Sequence, residues 1–144
     1  MKYSCEITID RPRTQVNELF DNPDNLKHWQ PELVRFEHVS GTPGQPEAKS
    51  KLLYKMGKRT MEIIETVTVR NLPDEFSGTY EMKGVFNAIK NTFEDCGEST
   101  RMVSETEFKF RGFMKVLAFL MPGMFKKQTS KFLQQFKAYA ESQP

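Results

Sequence analysis

Residues 100–139, TRMVSETEFKFRGFMKVLAFLMPGMFKKQTSKFLQQFKAY, change from a period of two to a helical period within one continuous stretch. The first eleven alternate between charged side chains and apolar or small ones, which predicts a strand with one solvated face. After Phe113 the apolar residues recur at steps of three and four, which predicts a C-terminal helix with one buried face. Pro122 and Gly123 interrupt this pattern, so we expect a short helix, a break and then a long helix ending near Glu141.

The rest of the chain supplies more strands and two short helical segments. Residues 2–10 alternate as a strand, Pro12 begins a helix that Asp21-Asn22-Pro23 stops, and 24–28 form a second helical piece. Between turn signals, the period of two then predicts six further strands at 33–40, 48–56, 59–71, 75–83, 85–95 and 100–111. Links of hairpin length make an antiparallel sheet, and the fold class is therefore α+β.

Three segments carry a family resemblance: RPRTQVNELFDNPDNLKHWQP at 11–31, NLPDEF at 71–76 and CGEST at 96–100. With the terminal helix, they resemble the START-like or SRPBCC superfamily, which includes polyketide cyclase/dehydrase-like and pollen-allergen-like proteins. The resemblance implies a helix-grip fold over residues 1–144 as a single domain: a curved seven-stranded antiparallel sheet, with two short helices after strand 1, wrapped around the long C-terminal helix. Its members include lipid carriers, hormone receptors, cyclases and iron-dependent hydroxylase subunits, so it specifies fold better than activity.

Composition weighs against several classes of partner. With 21 Lys and Arg against 19 Asp and Glu, and no long basic run, we expect no nucleic-acid binding. The alternating N-terminal residues are unlike an apolar leader, and Cys5 and Cys96 have no neighbours that would activate a thiol, so we expect a reduced, cytoplasmic protein. No apolar stretch is long enough to span a bilayer, and membrane contact should be transient at most.

The concave face of the sheet is the candidate binding site. A curved sheet touches one helix along only part of this face, and the remaining space must hold water, a ligand or large side chains. The face is expected to be apolar with a few small polar groups, as in pockets for small molecules. The predicted ligand-binding residues are Tyr54, Met61, Ile63, Tyr80, Met82, Asn87, Ile89, Asn91, Met102, Ser104, Thr106, Phe108, Leu117, Leu120, Met121, Met124, Phe125 and Phe132. Val67 and Val69 are assigned to the same face.

Residues with reactive chemistry are few. His28 and His38 have no partners at ligand spacing, so neither a metal site nor another cofactor is expected. Glu65 is the one acid that the alternation directs inward, and because an unpaired buried carboxylate is expensive, a bend or bulge is expected to expose it. If Glu65 is instead buried beside Tyr54 or Tyr80, a cyclase-like proton transfer becomes a hypothesis to test.

These patterns favour a non-enzymatic carrier or sensor that binds a hydrophobic or amphipathic small molecule, such as a lipid, fatty acid or aromatic polyketide. The alternatives are a small cyclase, dehydratase or hydrolase that uses Glu65 with a tyrosine, and an interaction module with a plugged cavity. The apolar segment 112–125 is interpreted as a lid, as a membrane-surface patch, as a contact in a homodimer, or as ordinary core.

Overall fold

The computed structural model describes residues 1–144, with seven strands and four α-helices. The strands are β1 (Lys2–Ile9), β2 (Leu33–Ser40), β3 (Lys49–Met56), β4 (Arg59–Asn71), β5 (Glu75–Met82), β6 (Val85–Asp95) and β7 (Thr100–Phe110). The helices are α1 (Arg13–Asp21), α2 (Leu26–Trp29), α3 (Phe113–Leu120) and α4 (Gly123–Ser142), and a 3₁₀ turn at Pro23–Asn25 precedes α2. No helix is both long and apolar enough to span a membrane.

All seven strands form one antiparallel sheet in the order β1-β7-β6-β5-β4-β3-β2. Consecutive strands from β2 to β7 are neighbours, while β1 pairs with β7 at the opposite edge from β2. The chain crosses between these two edges through α1 and α2, and α4 packs mainly on β1 and α2. The predicted helix-grip architecture is confirmed.

Local sequence sets the ends of the helices. Pro12 is the N-cap of α1 with extended backbone, and the Asn22 side chain accepts a hydrogen bond from the Asp24 N–H where the next turn begins. The predicted break is confirmed, because α3 ends at Leu120 and α4 begins after Pro122. Proline can occupy the first turn of a helix but not continue one, which explains why a new helix starts there.

The hydrophobic core fills only one half of the inner face of the sheet. Phe20 lies at its centre, with ring centroids 5.3 Å from Phe93 and 5.4 Å from Phe136, and Trp29 is 5.1 Å from Phe136. We call this cluster the core half, and its buried members are Cys5, Ile9, Val16, Trp29, Phe93, Met102, Leu133, Phe136 and Ala140. It lies where α1, α2 and the C-terminal part of α4 cover the sheet.

One strand departs from strict alternation. The pairing of β4 with β5 shifts between Val67 and Val69, which is a β-bulge. The prediction that Val69 points inward is therefore wrong: Val69 is 38% exposed. Arg70 takes the inner position opposite Phe76, donates to both carboxylate oxygens of Asp21 at 2.6 and 2.7 Å, and lies over the Phe76 ring. The bulge thus links β4 to α1 through a bidentate ion pair.

Candidate functional site

The inner face toward the β3–β4 and β5–β6 turns is less filled than the core half. Seven of its side chains, all outside the core cluster, keep part of their surface accessible; we call this set the open half, and it comprises Met61, Ile63, Glu65, Tyr80, Met82, Asn87 and Ile89. Their strands are the middle ones, whereas α4 packs mainly on β1 and α3 on β7. The helices therefore cover these side chains less completely than they cover the core half.

Glu65 lies on the inner face, and the prediction that a bend or bulge exposes it is wrong. In the ladder Glu65 stands opposite Ser50 on β3 and opposite Tyr80 on β5, and the bulge begins only after Val67. Tyr80 lies close enough to Glu65 for each side chain to shift the pKa of the other. The structure therefore brings together an acid and a tyrosine on adjacent strands.

Burial controls the protonation of this pair. It raises the pKa of Glu65 above its ordinary value, and the neighbouring Tyr80 offsets only part of this effect. Burial also raises the pKa of Tyr80 well above its ordinary value, and the nearby Glu65 charge adds to the shift. Tyr80 thus remains a hydrogen-bond donor, while Glu65 can hold a proton at a higher pH than a surface carboxyl does.

The surroundings of Glu65 and Tyr80 are intermediate between a filled core and an open surface. Both side chains are surrounded by enough protein to disfavour their charged forms, and yet both keep accessible surface. A side chain on the protein surface would be well solvated, and one in a filled core would have no accessible area. Glu65 and Tyr80 are thus largely covered by protein without being completely closed off.

Tyr54 joins the site to α2. Its hydroxyl donates a 2.6 Å hydrogen bond to the Gln30 side-chain oxygen, and both side chains are buried. Burial is the main reason why the pKa of Tyr54 is raised, and the charges of Glu65 and Glu32 add to it. Tyr54 therefore stays neutral and oriented, and its hydroxyl proton is already donated to Gln30.

Five buried side-chain polar atoms have no hydrogen-bond partner, and two of them, Asn17 Oδ1 on α1 and Trp29 Nε1 on α2, belong to the helices that cover the core half. The other three are Asn87 Oδ1 on β6, Thr106 Oγ1 on β7 and Gln135 Oε1 on α4. Buried polar atoms are nearly always paired in proteins, because an unpaired one costs about 1–3 kcal/mol. Asn87 and Thr106 were among the predicted ligand-binding residues, whereas Gln135 was not. Its position three residues after Phe132, on the buried side of α4, was the signal that could have identified it.

The other predicted residues fall into three environments. Asn91 and Ser104 are buried and satisfy each other through a 2.5 Å hydrogen bond, and Met102 belongs to the core half. Phe125 packs against Phe108 and Phe110, with centroids 5.1 and 4.8 Å apart, and Leu117 and Phe132 are half-buried. Leu120, Met121 and Met124 lie at the surface, contrary to their expected place along the pocket. The ligand-binding role of the whole set remains a prediction.

The two histidines are engaged elsewhere. His28 stacks on Tyr139 with ring centroids 5.6 Å apart, where α2 meets α4. His38 Nε2 lies 2.7 Å from the Gly41 carbonyl oxygen, at the end of β2. Neither ring faces Glu65 or Tyr80, so the pair does not include a histidine.

A separate groove of about 750 Å³ crosses the outer face of the sheet from β1 to β4. Short polar and charged side chains dominate its lining, including Ser4, Ser77, Thr79, Lys90 and Glu105. This composition is typical of a hydrated sheet face rather than of an apolar ligand site. The apolar inner face is therefore the better candidate for a ligand.

Solved structures with the same fold come from several organisms. An aromatase/cyclase, Zhui, from Streptomyces sp. R1128 superposes with a TM-score of 0.81 at 12% identity, over 98% of this chain and 93% of that chain. The protein TTHA0849 from Thermus thermophilus gives 0.79 at 16% identity, over 97% of each chain. Norcoclaurine synthase of Thalictrum flavum gives 0.75 at 11% identity, over 99% of this chain and 87% of its own. These likenesses establish the fold.

Sequence comparison supplies the family. No curated protein sequence matches this chain. The model of one family, described as polyketide cyclase/dehydrase and lipid transport, matches residues 1–141 and so covers nearly all of the strands and helices. Together with the helix-grip fold, this match shows that the chain belongs to the polyketide cyclase/dehydrase and lipid transport family, within the SRPBCC proteins.

Proposed function

We propose that the open half of the inner face binds a hydrophobic or amphipathic small molecule, so that the protein acts as a carrier or sensor. The observation that carries this proposal is that the unpaired buried oxygens of Asn87 and Thr106 lie on neighbouring strands of the inner face, beside half-buried apolar side chains. A ligand with one or two hydrogen-bond donors on an apolar frame would satisfy these oxygens and cover the apolar surface. An aromatic polyketide with phenol groups or a lipid with a free hydroxyl has this character, and a fatty acid has it when its carboxyl is protonated, because a carboxylate only accepts hydrogen bonds.

Two adjacent isoleucines on β4 provide a matched test. Ile63 points into the open half and Ile64 points to the outer face, and both are half-buried. Ile63→Trp should fill the space and weaken binding of a dansyl-labelled fatty acid and of anilinonaphthalene sulfonate by at least about tenfold. Ile64→Trp should leave both affinities unchanged. Fluorescence titration measures them, and native mass spectrometry of the purified protein would reveal a ligand that is retained.

The proposal fails if neither probe binds the wild-type protein and its native mass is that of the bare chain. It also fails if Ile63→Trp and Ile64→Trp have equal effects, because binding would then not depend on the inner face. Thermal unfolding of both variants serves as the control that each is folded.

A second candidate function is proton transfer on a bound ligand, and the geometry around Glu65 favours it. A carboxyl with a raised pKa is a better base than a surface carboxylate, and it keeps its proton to a higher pH, so that it can also act as an acid there. Tyr80 lies beside this carboxyl. Once Glu65 has taken up a proton, it no longer needs the Tyr80 proton, and the Tyr80 hydroxyl could then stabilise an oxyanion that develops nearby. Such a pair suits the enolisation and dehydration steps of a polyketide-like substrate, and two of the solved proteins with this fold are named as an aromatase/cyclase and a synthase.

The basicity of Glu65 can be measured without the natural substrate. In the Kemp elimination of a nitrobenzisoxazole, a carboxylate removes the ring C–H proton while the N–O bond breaks to give a cyanophenolate. We expect a rate that rises with pH through an apparent pKa above that of a surface carboxyl, and that is lost in Glu65→Gln. Glu62→Gln, on the exposed face of the same strand, is the control. A rate that survives Glu65→Gln contradicts this candidate.

A further inference from the structure

Helix α3 presents an apolar face to solvent. Met114 and Ala118 face the protein, whereas the opposite side of the helix and the break that follows it are exposed. The exposed fractions of the apolar side chains are Phe113 76%, Val116 53%, Phe119 84%, Leu120 69%, Met121 50% and Met124 37%. We call these six residues the apolar patch. Apolar residues at a helical spacing on the solvent side are the reverse of what a surface helix normally shows, so the patch requires a partner.

The charges around the patch are of one sign. Between Phe108 and Ala140 the sequence has seven cations and no Asp or Glu, so the rest of the chain carries fourteen cations against all nineteen acids. The charge is thus unevenly distributed along the sequence although its net value is only +2. The seven are Lys109, Arg111, Lys115, Lys126, Lys127, Lys131 and Lys137.

Five of these cations have no acidic partner. Lys131 pairs with Glu32 and Lys137 with Glu141, and the remaining salt bridges involve cations from other parts of the chain. The exposed cations that remain are those nearest the patch in sequence: Lys109, Arg111, Lys115, Lys126 and Lys127. The turn between β5 and β6, which carries the exposed Lys83, adjoins the start of α3, since the Arg111 N–H donates to the Gly84 carbonyl at 2.9 Å.

Two of the lysines occupy a position that does not stabilise their helix. Lys126 and Lys127 lie in the first turns of α4, at the positive end of the helix dipole, and no acid is present in the first turn. Cations are unfavourable there. The N-terminal end of α4 therefore carries concentrated positive charge, and it lies next to the exposed Met121 and Met124.

We propose that the apolar patch and the unpaired cations next to it in sequence bind an anionic lipid surface, with α3 lying in the interfacial plane. Apolar side chains would enter the boundary between headgroups and acyl chains, and the unpaired lysines and arginine would contact lipid phosphates. The charge favours this partner over a two-fold contact between copies, because a second copy that met the patch with its own patch would bring an equally positive surface against it. The proposal does not depend on a ligand in the open half, so the two can fail independently.

Flotation with lipid vesicles tests the proposal directly. The full chain should bind vesicles of phosphatidylcholine mixed with phosphatidylglycerol, bind those of phosphatidylcholine alone much more weakly, and be released by high salt. Phe119→Asp should lower the partition coefficient by at least about tenfold, because an aspartate replaces an inserted ring and opposes the lipid charge. Lys126→Gln with Lys127→Gln should lower it roughly fivefold for each charge removed, with the apolar surface intact.

Val34 offers a matched control because it is 60% exposed but lies on β2, away from the patch. Val34→Asp should bind vesicles as the wild type does. Ile63→Trp, which fills the open half, should also leave vesicle binding unchanged and so separates this inference from the proposed function. Since all the patch substitutions are at exposed positions, unfolding midpoints should change little.

Three results would overturn the proposal. One is a wild-type protein that ignores the mixed vesicles, and another is a Phe119→Asp variant that binds them as tightly as the wild type. The third is concentration-dependent self-association in sedimentation equilibrium that Phe119→Asp abolishes, together with no vesicle binding, because the patch would then be an interface between copies.

Discussion

The core half and the open half lie on the same face of one sheet, but they differ in what covers them. In the core half, aromatic rings from α1, α2 and α4 pack against Phe93 and Met102, and the one unpaired buried polar atom among its members is the Trp29 Nε1 donor. In the open half, half-buried Met and Ile side chains lie beside Glu65 and Tyr80, and the buried Asn87 Oδ1 has no hydrogen-bond partner. The comparison shows that stability is concentrated where the helices pack, which leaves the remaining face free for a ligand.

The largest expected effect contrasts one side chain from each half. Phe136→Ala should lower the free energy of unfolding by about 3–5 kcal/mol, because Phe136 is 1% exposed and the surrounding rings cannot collapse into the cavity. Met82→Ala in the open half should cost less than about 1.5 kcal/mol, because Met82 is only half-buried. Urea unfolding followed by circular dichroism measures both. Similar losses for the two variants would contradict the division of the inner face.

The ion pair beside the bulge gives the next largest effect. Asp21→Asn removes the carboxylate that accepts both hydrogen bonds from Arg70, and the partly buried guanidinium loses its counter-charge. We expect a loss of about 1–2 kcal/mol, between the values for surface and buried pairs. Asp74→Asn, which breaks the more exposed pair with Arg13, should cost less than about 0.5 kcal/mol in the same urea experiment. Equal losses would show that the bulge does not hold β4 to α1.

Glu65→Gln should make the protein more stable at neutral pH. Because the folded-state pKa of Glu65 is raised, the folded protein binds more protons than the unfolded chain between the ordinary carboxyl pKa and the raised value. Wild-type stability therefore falls as the pH rises through this window, and glutamine removes the fall. The difference in melting temperature between variant and wild type should shrink as the pH drops toward the ordinary carboxyl value. A variant that is less stable than wild type at neutral pH would contradict the account.

The smallest effect concerns an acid at the edge of the core half. Glu141 accepts hydrogen bonds from the Lys137 side chain and the Asp10 N–H, which lower its pKa. Its contribution is present above the ordinary carboxyl pKa and is lost as the pH falls through the lowered one. Glu141→Gln should therefore cost a few tenths of a kcal/mol at neutral pH and nothing in strong acid. Thermal melts across this pH range should show that Glu141→Gln is less stable than the wild type at neutral pH, whereas Glu65→Gln is more stable.

The fold could be predicted from the sequence because its signals are local. The period of two and the turn residues gave strand ends within one or two residues, and Pro122 with Gly123 marked the break between α3 and α4. The position of the bulge could not be predicted in the same way. Residues 67–69, VTV, contain no glycine or proline, and the irregularity arises from pairing with β5 and from the Arg70 contact to Asp21.

The site was only partly predictable. Alternation placed Glu65, Tyr80 and Asn87 on the inner face, but whether Glu65 stays there depends on the bulge, which lies two residues later. Gln135 was missed because periodicity identifies apolar residues on a helix face and passes over polar ones. The apolar segment around α3 was compatible with core, lid or surface, and only the packing of β7 and the β5–β6 turn shows which of its side chains remain exposed.

The most direct test of the account is a titration of methyl-labelled isoleucines by NMR with the dansyl-labelled fatty acid and with anilinonaphthalene sulfonate. Ile63 and Ile89 lie in the open half, Ile9 lies in the core half, and Ile64 lies on the outer face of the sheet. We predict that the methyl signals of Ile63 and Ile89 shift with saturation while those of Ile9 and Ile64 stay in place. Shifts confined to Ile64, or no shift at Ile63 and Ile89 with either probe, would contradict a ligand site in the open half.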